Sequence, residues 1–166
     1  GNGTSIGEYA FGACSNLISV MIPGNVTSIG DNAFYLCSAL TSVYFGGNTP
    51  AVGSDAFTWV DEGTIQPLSN VTFYYLPGTT GWSSTFAGRP AFLWNPQIQA
   101  AGWWNNQFGF NITGTANIPI VLEVCTNLTS PIWSPLKNIT LVNGSFFYSE
   151  PVQTNIPDRY YRISSP

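Results

Sequence analysis

The sequence contains no histidine, and only 7% of its 166 residues carry a formal charge. Average soluble domains carry about 25%. Without imidazole the chain lacks the commonest general base and the commonest metal ligand. Its four cations, Arg89, Lys137, Arg159 and Arg162, are too few and too scattered to build the basic surface that nucleic acid requires. No apolar run approaches the ~18 residues of a membrane span, and no leader segment is read at Gly1. Gly-x-Ser-x-Gly, P-loop and dinucleotide-binding patterns are all missing. These absences point away from an enzyme and imply no cofactor.

Apolar residues make up an ordinary 44%, and 15% of the chain is aromatic. The missing charge is replaced by Asn, Ser, Thr and Gly. Low charge accompanies disorder only when apolar content is also low. The composition therefore predicts a packed, mainly β protein. The length suits one ordinary domain or two small ones, each with a marginal core.

An internal repeat organises the first half. Thr4-Ser5-Ile6-Gly7-Glu8-Tyr9-Ala10-Phe11 returns as Thr27-Ser28-Ile29-Gly30-Asp31-Asn32-Ala33-Phe34, offset by 23. The same offset relates Cys14 to Cys37, Leu17 to Leu40 and Val20 to Val43. A third copy begins at Val52-Gly53-Ser54-Asp55-Ala56-Phe57 and then takes an insertion around Asp61-Glu62-Gly63. Periods of about 20–29 residues with a Leu-x-x-Val-x-Ile core indicate stacked leucine-rich coils whose short strands form a parallel sheet. The expected repeat core is Ile6, Phe11, Cys14, Leu17, Val20, Ile29, Phe34, Cys37, Leu40, Val43, Val52 and Phe57. In the third copy Val71, Tyr74 and Leu76 are expected to point inward. Met21, Tyr44 and Tyr75, with Phe73 beside them, then form an outward column, a candidate protein-contact surface.

The motif Ser-Ile-Gly-x-x-Ala-Phe-x-x-Cys-Ser-x-Leu-x-Ser-Val-x-Ile-Pro resembles the BspA-like (Treponema-type) leucine-rich repeats of bacterial surface proteins. The stretch from Tyr74 through Trp82 and Gly88-Arg89-Pro90 to Leu93-Trp94-Asn95-Pro96 resembles the segment that closes such arrays. The tail, through Phe108-Gly109-Phe110 and Arg159-Tyr160-Tyr161-Arg162, resembles C-terminal modules of secreted bacterial proteins. The resemblance implies surface display, adhesion or protein contact without a shared catalytic site.

Beyond Pro96 the period changes. Residues 97–107 read as a linker. Short β segments follow at Phe108–Ile112, Ile120–Val124, Thr140–Val142, Ser145–Ser149 and Tyr160–Ile163, with turn signals at Thr113-Gly114 and Asn143-Gly144. The expected architecture is mainly β: a leucine-rich-repeat solenoid of about three coils over 1–96, then a small immunoglobulin-like antiparallel β-sandwich over 108–166. The second part is shorter than the ~100 residues of a complete immunoglobulin fold and is expected to leave a sheet edge open.

Other candidates have plainer readings. Asp61-Glu62 is an adjacent acid pair in a loop, and Glu8 and Asp31 stand one coil apart, where Ca²⁺ would be the fitting cation. Stacked Cys14 and Cys37 are expected to be ~4.8 Å apart, beyond a relaxed disulfide, and Cys125 stands alone, so all three thiols are expected free. Seven Asn-x-Ser/Thr sequons occur, at Asn2, Asn25, Asn70, Asn111, Asn127, Asn138 and Asn143. Trp82 and Trp94 are expected to pack the cap. Trp103 and Trp104 suit packing more than stacking on sugars.

Together these readings lead to an extracellular or cell-surface bacterial protein without catalytic, cofactor or metal residues. The first coil carries no amphipathic cap, so its open end suits a head-to-tail, self-assembling filament. The alternatives are a monomeric adhesion or ligand-binding fragment of a longer repeat protein, and an accessory module of a secreted carbohydrate-active protein. The partners expected are the chain itself or another surface protein, with glycans as a further candidate.

Overall fold

The computed structural model describes residues 3–151 and 158–166, and these contain strands and turns but no helix. They fall into two compact units, Gly1–Leu93 and Trp94–Pro166.

In the first unit, strands β1 (Thr4–Ile6), β3 (Val26–Ile29) and β5 (Ala51–Val52) pair in parallel, in that order. A second sheet has the order β2 (Ser19–Ile22), β4 (Ser42–Phe45), β8 (Thr72–Tyr75), β10 (Arg89–Leu93) and β9 (Thr85–Phe86). Its first four strands are parallel, and β9 turns back antiparallel on β10. Between the sheets the turn segments form a third ladder. Tyr9, Phe11 and Ala13 donate their N–H groups to the carbonyls of Asp31, Ala33 and Tyr35. Asn32, Phe34 and Leu36 donate in the same way to Ser54, Ala56 and Thr58. The backbone polar groups of each copy are thus satisfied by the next one, which is why the repeat closes without a helix.

The core between these walls is apolar and aromatic. Phe11, Phe34 and Phe57 stack with centroids 5.0 and 4.9 Å apart and ring planes within 6° and 5° of parallel. Ile29, Phe34, Cys37, Leu40, Val43 and Phe57 are buried, as expected. The closing segment adds Trp82, stacked on Tyr75 at 5.1 Å, and Phe86 against Phe45, Phe57 and Phe73. The insertion in the third copy is a hairpin of β6 (Thr58–Asp61) and β7 (Thr64–Pro67). Glu62 and Gly63 take positive φ there, as a two-residue hairpin loop requires.

Two of the expected core residues are exposed instead. Val52 is 39% exposed because β5 is the last strand of its sheet. Cys14 is exposed because, among the described residues, no copy lies on its outer side; its counterpart Cys37 is buried against the first copy.

The third strand also differs from its expected register. Tyr44 pairs with Tyr74, not Tyr75, while Val43 pairs with Phe73 and Phe45 with Tyr75. The outward column is therefore Met21, Tyr44, Tyr74 and Phe92. Phe73 and Tyr75 belong to the core side, and Tyr74 does not. A side-chain period of two means that a one-residue slip exchanges the faces. The insertion broke the 23-residue offset from which the slip could have been read.

In the second unit, the segment expected to be a linker is strand β11 (Gln97–Trp104), paired antiparallel with β12 (Gln107–Thr113). Its Gln-Ile-Gln start alternates polar and apolar as a strand does, and Asn105-Asn106, both with positive φ, close the hairpin. Trp94, expected in the cap, falls in this unit, where its Nε1 donates to the Pro119 carbonyl at 2.9 Å. Strand β15 (Ser145–Pro151) completes one sheet, β11-β12-β15. The other is β14-β13-β16, from β14 (Ser134–Thr140), β13 (Pro119–Cys125) and β16 (Tyr160–Ser164).

Asn143-Gly144 is not a hairpin turn, because β14 and β15 lie in different sheets. The strand expected at Thr140–Val142 ends at Thr140, and Leu141 is fully buried at the crossing. Pro135 is tolerated because β14 is an edge strand with mostly exposed side chains. Tyr161 of β16 stacks on Phe108 of β12 at 5.8 Å and meets Phe110 at 5.1 Å, which joins the two sheets through aromatic contacts.

Candidate functional site

The first copy of the repeat presents a surface that the later copies do not. Ile6, Phe11, Leu17 and Val20 are only partly buried, whereas their counterparts Ile29, Phe34, Leu40 and Val43 are at most 2% exposed. Around them Tyr9, Ile18 and Met21 are 54%, 65% and 48% exposed. The backbone repeats the pattern. The turn ladder runs from an N–H of one copy to a carbonyl of the next, so the first copy uses its donors at Tyr9, Phe11 and Ala13. The alternate carbonyls of Glu8, Ala10 and Gly12 take no backbone donor among the described residues.

Glycine positions show how closely copies approach. A Cβ on Gly30 would lie 2.7 Å from the Glu8 nitrogen, and one on Gly53 would lie 2.6 Å from the Asp31 nitrogen. Both contacts are with backbone, which cannot move aside. Gly7 occupies the same place in the first copy, and a Cβ there would meet nothing within 4 Å.

Residues 2–74 match the BspA type leucine rich repeat region in six copies. The BspA-type region thus covers the three copies seen as sequence repeats and runs through Tyr74 in β8. The second unit lies outside it. No curated protein and no solved structure matches the chain.

Of the four expected contact residues, only Met21 is exposed. Tyr44 is 1% exposed and stacks on Tyr74 at 4.9 Å. Phe73 is buried in the core of the first unit and Tyr75 packs against it. Apart from Met21, the surface at the first copy is made by residues read as core or not singled out at all. Ile18 and Tyr9 escaped because an isolated apolar residue beside a repeat position carries no periodic signal.

All three cysteines are free, as expected. Cys14 is exposed, while Cys37 and Cys125 are buried. Burial raises the Cys37 thiol above its ordinary range, and its Sγ donates to the Phe11 carbonyl at 3.1 Å. A thiol reagent at neutral pH is therefore expected to titrate about one group in the native protein, Cys14, and three in denaturant. Rapid labelling of all three in the native state would show that the buried pair is not held as described.

Asp31 Oδ1 accepts the Ser54 N–H at 2.7 Å, joining the second copy to the third. Asp61 and Glu62 lie in the exposed hairpin. Six of the sequon asparagines are exposed; Asn2 lies outside the described residues.

A polar cluster in the second unit was not read from the sequence. Glu150 accepts hydrogen bonds from the hydroxyls of Tyr148, at 2.8 Å, and Tyr161. Arg159 Nη1 lies 3.0 Å from the same carboxylate. Burial, then the hydrogen bond to Glu150 and its charge, push Tyr148 up to about 12, with Arg159 opposing; Tyr161 is raised by the same causes. The remaining cations are also engaged. Arg162 pairs with Glu123 at 2.6 Å and covers Trp133, Lys137 lies over Phe146, and Arg89 donates to the Leu68 carbonyl. Only a fold brings Glu150 and Arg159 together, since their partners are separated along the chain by a segment with no strand signal.

Trp103 and Trp104 are not packed away. They are 65% and 43% exposed on β11, each touching a single phenylalanine edge-on, Phe108 and Phe147 respectively.

Proposed function

We propose that this chain is a non-enzymatic protein-interaction module of a bacterial cell surface, a short solenoid followed by a small β-sandwich, that assembles head to tail through the open end of its first coil. Gly7 carries this reading. Its counterparts are held to glycine by a neighbour closer than 3 Å, whereas a Cβ on Gly7 would meet none of the described residues within 4 Å. A second polypeptide arriving as closely as one coil approaches the next would use that space. It would also supply donors to the carbonyls of Glu8, Ala10 and Gly12, and cover Phe11 and Val20. The exposed edge strand β14 offers one such partner on the next subunit. Because the ladder has a direction, the contact is heterologous, and a heterologous contact that does not close makes a filament.

A second reading is favoured by the same geometry: the space over Gly7 fits a preceding coil of a longer repeat array, of which this chain is an adhesion or ligand-binding segment.

The experiment compares Gly7→Ala with Gly30→Ala in light scattering and negative-stain microscopy across protein and salt concentration. Gly30→Ala is expected to destabilise the fold by about 1–3 kcal/mol, because its Cβ overpacks against backbone. Gly7→Ala is expected to leave thermal stability unchanged or slightly raised and to abolish assembly. The wild-type fibres should persist in high salt, since so few charges are present to be screened. A wild-type chain that stays monomeric at high concentration overturns the filament and leaves the repeat-array reading.

A further inference from the structure

The outer face of the β11-β12-β15 sheet has a composition and relief that its fold does not require. Cross-strand partners share a face, so one face carries Phe108, Phe110, Ile112, Phe146 and Tyr148, whose aromatic contacts reach Tyr161 of the other sheet. The opposite face carries Trp104, Gly102, Gly109 and Phe147, with the amides of Gln99, Gln107 and Asn111 around them.

Gly102 and Gly109 are paired across the strands, and neither has the positive φ that would explain a glycine. Glycine within a strand costs stability and marks a close approach. At Gly109 the closest approach is by the Tyr148 carbonyl oxygen of β15, 2.7 Å from a Cβ, and a ring lies just beyond it. A Cβ on Gly102 would lie 3.5 Å from Trp104 Cη2, and one on Gly109 would lie 2.9 Å from Phe147 Cζ. Gly109 lets the Phe147 ring lean low against the sheet, Trp104 lies in ordinary contact over Gly102, and the two rings are 5.7 Å apart at 79° to each other. The rings nevertheless remain 43% and 51% exposed.

We infer that this face is a binding site for a neutral glycan chain. A pyranose ring is apolar on its C–H face and polar around its rim. Trp104 and Phe147 form a corner that covers such an apolar face, with Trp104 presenting the larger π surface. Gln99, Gln107 and Asn111 are exposed beside the rings and offer both donors and acceptors to hydroxyl groups. The positions that share this face on the three strands, from Gln97 and Gln107 to Pro151, include no Asp, Glu, Lys or Arg. An acidic polysaccharide finds no cation here, so the match is to an uncharged sugar. The site lies in the second unit and does not depend on the filament reading.

The test is titration calorimetry of the whole chain with cellohexaose and chitohexaose, and with oligogalacturonate as the charged control, followed by co-sedimentation with insoluble cellulose and chitin. At least one neutral oligosaccharide is expected to bind, and the galacturonate is not. Trp104→Ala is expected to weaken binding at least tenfold, Trp104→Tyr to retain much of it, and Ile18→Asp, in the first unit, to leave it unchanged. Circular dichroism establishes that each variant is folded, as expected for exposed positions. The inference is overturned if no neutral glycan binds, if binding survives the double variant Trp104→Ala/Phe147→Ala, or if that double variant alters only self-association.

Discussion

Phe34→Ala is expected to remove about 3–5 kcal/mol from the stability of the repeat region, the range for truncating a buried phenylalanine. Phe34 is 0% exposed and is the middle ring of three, with Phe11 stacked on one face and Phe57 on the other. Its removal opens a cavity that neither neighbour can fill, because each ring is fixed to its own copy by the turn ladder. Phe34 and Phe11 also carry that ladder with their N–H groups, bonded at 2.8 Å in both cases, so the backbone resists collapse into the gap. For a unit of this size the thermal midpoint should fall by more than about 10 °C. Phe11→Ala, at the open end of the stack, is expected to cost roughly half as much. Urea unfolding of the two variants measures both losses. Equal losses would mean that Phe11 is as enclosed as Phe34 in solution, which would itself indicate assembly.

Above pH about 10, the ordinary pKa of tyrosine, the protein is expected to lose stability steeply. Tyr148, at about 12, and Tyr161 are raised by burial first and by Glu150 second. Tyr44 and Tyr74 are raised chiefly by burial. A pKa raised by folding means that the folded state holds the neutral phenol more strongly than the unfolded chain does. The resulting stability is complete below the unfolded value and is lost as pH rises from there through the folded values. The curve should therefore be flat from neutral pH to about 9.5 and fall between roughly 10 and 12. Phenolate absorbance should rise in step with loss of near-ultraviolet circular dichroism. Tyr161→Phe is expected to move the alkaline loss to higher pH while lowering neutral-pH stability by about 1.5–3 kcal/mol, because it removes a hydrogen bond to a charged group. Free titration of every tyrosine near 10 without unfolding would contradict the Glu150 cluster.

The parts legible in advance were those with a local period. An offset of 23 residues places Ile6 over Ile29 and Val20 over Val43, and parallel strands at matching offsets follow from it. The buried positions of the second copy followed as well, because a copy with neighbours on both sides has a single way to bury its apolar residues. The hairpin of Glu62-Gly63 was visible only as an interruption, and that interruption hid the register of β8. Alternation then turned one misplaced residue into an exchanged face, so that Tyr74 and Tyr75 traded roles.

The amino-acid sequence by itself determined that this is a mainly β chain with few charges and free thiols, whose residues 2–74 match a BspA type leucine rich repeat region. Those features depend on composition and on spacing within one copy. The tertiary structure decided what depends on a neighbour: that Cys14 and Val52 are exposed while Cys37 is not, that Gly30 cannot accept a methyl group while no described residue crowds Gly7, and that residues 97–104 pair as a strand. It also brought Glu150 to Tyr148, Tyr161 and Arg159. The physical reason is the same in each case. Burial and hydrogen bonding are properties of pairs, and where the partner lies far along the chain no local pattern announces it.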